Sequence, residues 1–141
     1  MSALDSLIRL HRWQLDERRR QLADLDQLLF KLRQEERRLD VEQATEQQAA
    51  SASSEAAFAY GGYARGVVER RRRLAQSIAE IEQQIVQARE ALAQTFQEVK
   101  RYEITASNRQ RQQRQKLERQ QQRAMDEIAV EAYRRRRADQ A

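Results

Sequence analysis

Proline is absent from all 141 residues, and the three glycines all fall between Gly61 and Gly66. These are the strongest local breakers of helix, so the chain offers one obvious place for a helix to end. On either side the apolar residues recur at alternating steps of three and four. In the first half they are Leu4, Ile8, Leu15, Leu22, Leu25, Leu29, Leu32 and Leu39. In the second they are Val67, Leu74, Ile78, Ile81, Ile85, Ala88, Leu92, Thr95, Val99, Tyr102 and Ala106. That alternation is a heptad seam, with Ile8, Leu15, Leu22 and Leu29 at a and Leu4, Leu25, Leu32 and Leu39 at d. His11 and Arg18 at d, and Glu36 at a, are its polar members. With 35% charged residues and few aromatics, the chain has too little large apolar surface for a globular core. A coiled coil needs only about two apolar residues in seven.

The expected fold is therefore all-α, an elongated two-helix antiparallel coiled-coil hairpin over residues 1–141. Helix one is expected over about 3–57, a tip over about 58–66, and helix two over about 67–137. A short connection makes the helices antiparallel neighbours, and folding about this tip pairs residues whose numbers sum to about 124. Leu39 then faces Ile85, Leu32 faces Leu92, Leu25 faces Val99 and Leu22 faces Tyr102. The expected seam comprises these residues with Leu29, Ile78 and Ile81. It weakens toward the open end, where Leu15 faces Arg109 and His11 faces Gln113. From Ser107 to Arg123 the sequence is nearly all Gln and Arg, with Leu117 its one large apolar residue.

Catalysis has little to draw on. One histidine, no cysteine and no glycine-rich phosphate loop leave few groups for nucleophilic or metal chemistry. No cofactor, metal or small-molecule substrate is expected, and the chain reads as a non-enzyme. No apolar run approaches the length needed to span a bilayer, and the opening residues lack the apolar core of a signal peptide. A cytoplasmic protein is expected. Net charge is +5, unevenly placed: the first 60 residues hold nine basic and eleven acidic side chains, the remainder eighteen and eleven. A basic second helix suits an acidic partner, which could be protein, nucleic acid or a membrane surface. Arg70 to Arg73 and Arg134 to Arg137 lack interleaved aromatics for base stacking, so direct nucleic-acid binding is not expected. The alternative is a nucleic-acid- or ribosome-associated basic hairpin.

Trp13 occupies heptad position f, on the outside, with Leu10 one turn before it and Arg9 and Arg12 alongside. It either lies over the neighbouring helix or anchors a protein contact. Met125, Ile128 and Ala132 recur at three and four and form one apolar face, with Tyr133 beside it. In the expected register, residues beyond about 123 have no first-helix partner.

Four blocks resemble the flagellar FliJ family. They are Leu4 to Arg20 (Leu-Asp-Ser-Leu-Ile-Arg-Leu-His-Arg-Trp-Gln-Leu-Asp-Glu-Arg-Arg-Arg), Phe58-Ala59-Tyr60-Gly61-Gly62-Tyr63-Ala64-Arg65, Glu98-Val99-Lys100-Arg101-Tyr102-Glu103 and Ala124-Met125-Asp126-Glu127-Ile128. The second is similar to the tip of the alphaproteobacterial branch, which commonly has Pro-Thr where Gly61-Gly62 stand. The resemblance implies a component of the flagellar type III export apparatus, similar in fold to the stalk subunit of rotary ATPases. It implies three partners: the export ATPase ring, the cytoplasmic part of the membrane-embedded export gate, and export chaperones. The implied location is cytoplasmic, peripheral to the inner membrane at the flagellar base. On this reading Leu7, Arg9, Leu10, Arg12, Trp13, Met125, Ile128 and Tyr133 are candidates for the ATPase. Tyr60, Tyr63, Val67, Val68 and Arg71 are candidates for the gate.

Overall fold

A computed structural model describes residues 2–140. It is all-α, two long helices packed against each other as a coiled-coil hairpin: α1 (Ala3–Ala50) and α2 (Ser54–Asp139). Serines set both starts. Ser2 Oγ accepts from the Asp5 amide at 3.2 Å while the Asp5 carboxylate accepts from the Ser2 amide at 3.3 Å, a reciprocal cap on α1. At the other end the Ser51 and Ala52 amides donate to the Gln48 and Ala49 carbonyls, tightening the last turn of α1. Ser53 then caps α2, its Oγ accepting from the Ala56 amide at 3.0 Å.

The connection is thus Ser51-Ala52-Ser53, and the glycines are not in it. The expected tip over about 58–66 lies inside α2, helix one stops at Ala50 rather than about 57, and helix two begins at Ser54 rather than about 67. The energetics explain the difference. Three glycines inside a helix cost about 1.5–3 kcal/mol together relative to alanine. Keeping the helix intact carries Tyr60, Tyr63 and Val67 onto the seam, and Val67 becomes fully buried. Burying that one side chain contributes about 1.5–3 kcal/mol, and the half-buried tyrosines add to it. All three glycines have negative φ, and a Cβ built on any of them meets nothing within 4 Å, so nothing in the hairpin requires them.

Moving the turn moves the register. Arg33 pairs with Glu82, Arg70 with Glu42, Arg71 with Asp40, and His11 stacks on Tyr102, so facing numbers sum to between 111 and 115 rather than about 124. Leu39 accordingly shares a cleft with Leu74, not Ile85, and the pairing of Leu32 with Leu92 moves by the same amount. His11 meets Tyr102 in place of Gln113. The offset is about eleven residues, close to three full helical turns, so the same faces meet in either register. Heptad periodicity fixes the face and leaves the height open.

The chain divides into two compact units. In the first, Arg12–Phe96, the buried seam is Leu15, Leu39, Val67, Ile78, Ile85 and Thr95, with Leu22, Leu25, Leu29, Leu32, Leu74, Ile81 and Leu92 half-buried. Arg33 to Glu82 and Arg71 to Asp40 and Gln43 tie its two helical segments along the seam edge. In the second, residues 2–11 pack on the segment after Gln97. Ile8 and Val99 are buried there, and His11 stacks on Tyr102 with ring centroids 4.8 Å apart and its Nδ1 3.5 Å from the Glu98 carboxylate. A cleft lined by Ser2, Leu4, Asp5, Ala106, Arg109, Gln110 and Gln113 marks where α1 runs out.

Candidate partner-binding surfaces

The end of α2 follows from the register. Because α1 begins at Ala3, α2 residues beyond about 110 face no α1 residue; on the sequence reading the limit was about 123. Every described residue from 107 to 140 is exposed. Leu117, Met125, Ile128, Val130 and Tyr133 all stand in water, Ile128 at 69% exposure. Leu117, Ala124, Met125, Ile128 and Ala132 lie between about 70° and 170° around the helix from the seam face, at 100° per residue, with Met125 nearly opposite it. The apolar stripe therefore leaves the face that α1 would cover. The seam face itself becomes Arg109, Gln113, Lys116, Gln120 and Arg123.

On α1, Leu10 is 50% exposed and Trp13 59%, while Leu7 is half-buried and Arg9 and Arg12 are exposed. The outer heptad position leaves Trp13 more than half exposed.

Near the turn the structure spends most of the residues expected to meet the export gate. Val67 is fully buried and cannot be touched unless the helices part. Tyr60 and Tyr63 are half-buried with ring centroids 5.9 Å apart, and the Tyr63 hydroxyl donates to Glu42 at 3.0 Å. Partial burial first, and then that carboxylate, push the Tyr63 hydroxyl above its ordinary range. Arg71 is held by Asp40 and Gln43. Of the five, Val68 alone is largely exposed, at 66%. Phe58, 89% exposed, was not among the residues expected to meet the gate. Its signal was available: Phe58 falls one residue after a seam position when the alternation is run back from Val67 through Tyr60.

Among the described residues no group of three or more His, Cys, Asp or Glu side chains is placed to hold a metal ion. No described helix is long and apolar enough to cross a membrane. The described residues thus define a two-helix coiled coil with charged flanks and exposed apolar residues on the far part of α2. The chain belongs to the FliJ family: the description "Flagellar FliJ protein" matches residues 1–138. It is accordingly a component of the flagellar type III export system. No curated protein and no solved structure matches it.

Proposed function

We propose that the chain is a non-enzymatic stalk and coupling subunit of the flagellar export ATPase, using the far part of α2 as its ring contact. The observation carrying this reading is the displaced apolar stripe. A helix whose only purpose was to extend the hairpin would keep most of its apolar residues on the seam, whereas Leu117, Ala124, Met125, Ile128 and Ala132 lie off it, in water, while Val130 stays in phase with it. An exposed stripe of this kind gains its burial only against another molecule. Burying Met125 and Ile128 would contribute about 1.5–3 kcal/mol each. Tyr133, Arg9, Arg12, Leu7 and Leu10 are assigned to the same partner, with Trp13 as an aromatic anchor of the kind that dominates interfaces.

The export gate is assigned to the turn end, through Phe58 and Val68 rather than the tyrosines, Val67 and Arg71. Export chaperones are a third partner, supported by family membership. The expected site of work is the cytoplasmic side of the inner membrane, by peripheral attachment.

The test is Met125→Asp with Ile128→Asp, measuring melting temperature, co-purification with the export ATPase and stimulation of its ATP hydrolysis. Unchanged melting with lost binding and stimulation is expected. Unchanged binding and stimulation would remove the far part of α2 from the interface.

A further inference from the structure

The same segment of α2 has a second face of different chemistry. Where α1 ends, the seam face of α2 turns basic: Arg109, Lys116, Arg119 and Arg123 lie within one arc of the helix, with Gln113 and Gln120 beside them. Ser107 to Arg123 contains six basic residues and a single acidic one, Glu118, on the opposite side. None of the four cations has an ion-pair or hydrogen-bond partner among the described residues. Elsewhere the hairpin matches arginines to carboxylates on the opposite helix, as Arg33 with Glu82 and Arg71 with Asp40.

The cations keep the heptad. Arg109, Lys116 and Arg123 occupy successive d positions, Gln113 and Gln120 the intervening a positions, in unbroken phase with Tyr102 and Ala106. A polyphosphate backbone has no need of a seven-residue repeat, since it binds charge in any register. A helix does need one. We infer that this face is a vacant half of the coiled coil, to be completed by an acidic helix of another protein that carries Glu or Asp at its facing positions. That helix lies along α2 antiparallel to it, continuing the line of α1 beyond Ser2. Its C-terminal end comes to the cleft at Ser2, Leu4, Asp5 and Arg109, beside the N-terminus of α1. A negative helix end against a positive one favours that direction. The apolar stripe at Met125 and Ile128 points elsewhere and stays free for the ATPase ring, so the inference stands independently of that assignment.

The test uses the full chain and a fluorescein-labelled model peptide of three heptads, stapled into a helix, with Glu at a and d and Ala and Gln elsewhere. A control peptide has the same composition shuffled so that its Glu residues surround the helix. Anisotropy at low salt is expected to show the patterned peptide binding at least about tenfold more tightly than the shuffled one. Lys116→Glu with Arg119→Glu and Arg123→Glu should weaken it at least about tenfold, and a peptide with Lys in place of Glu should bind that variant. Met125→Asp with Ile128→Asp should leave peptide binding unchanged. Circular dichroism checks that the exposed substitutions keep the helix. Equal binding of the shuffled peptide, insensitivity to the triple reversal, or displacement by a single-stranded oligouridylate of equal charge would overturn the inference, the last in favour of nucleic acid.

Discussion

Replacing Gly61, Gly62 and Gly66 with alanine should stabilise the protein. Each glycine sits in the interior of α2 with negative φ, and each added methyl would stand in open space. The gain is therefore the helix-propensity difference and reduced freedom of the unfolded chain, about 0.5–1 kcal/mol per site. Gly61 and Gly62 are adjacent but share no side-chain neighbour, so the three effects should add to about 1.5–3 kcal/mol. For a chain of this size that raises the melting temperature by roughly 5–10 °C. Thermal melts and urea titrations followed by circular dichroism at 222 nm read the change. The opposite sign would refute the reasoning: if Gly61 and Gly62 formed a turn with positive φ, alanine would destabilise by more than about 1 kcal/mol.

Ser53→Ala removes the cap on α2 and should cost about 1 kcal/mol in the same titration, whereas Ser54→Ala should cost little. Ile85→Ala, emptying a seam position that is 5% exposed, should cost about 2–5 kcal/mol, while its exposed neighbour Val86→Ala should stay within about 0.5 kcal/mol. Hydrogen bonds from Ser2 hold the Asp5 carboxyl below its ordinary value of 3.8. The carboxylate half of the cap is thus fully present above that value and lost as pH falls through the lowered one, seen as lost protection of the Ser2 amide, which donates to that carboxylate, and absent in Asp5→Asn.

The heptad gave the faces of both helices from the residues alone, and with them the all-α hairpin. It could not give the height at which they meet, because a slide of about eleven residues returns the same face to the seam. The choice of height rested on the glycines, and they misled: glycine permits a turn without requiring one. The serines were the better guide. Ser51, Ser53 and Ser54 supply capping groups within a few residues, and the seam alternation runs through Tyr60, Ala64, Val67 and Arg71 without a break. The misplaced turn had consequences for the site. It hid that Tyr63 and Arg71, offered for the gate by the family resemblance, are held by side chains of α1, and it hid how soon α1 gives out. The exposure of Trp13 was legible from its outer heptad position, and that of Met125 and Ile128 from their spacing beyond the reach of α1. The basic seam face needed the register to be seen as vacant.

The register decides whether the far part of α2 stands alone, and the absence of native cysteine makes it directly measurable. Spin labels at Arg33→Cys and Glu82→Cys, and separately at Arg33→Cys and Ala91→Cys, report the two distances by pulsed electron resonance in the monomer. Arg33 and Glu82 are ion-paired across the helices, so the first distance should be the shorter. With a rise of 1.5 Å per residue, the second label sits about 13 Å further along α2. The reverse order, with 33 nearer 91 than 82, would place the turn at the glycines and contradict the account.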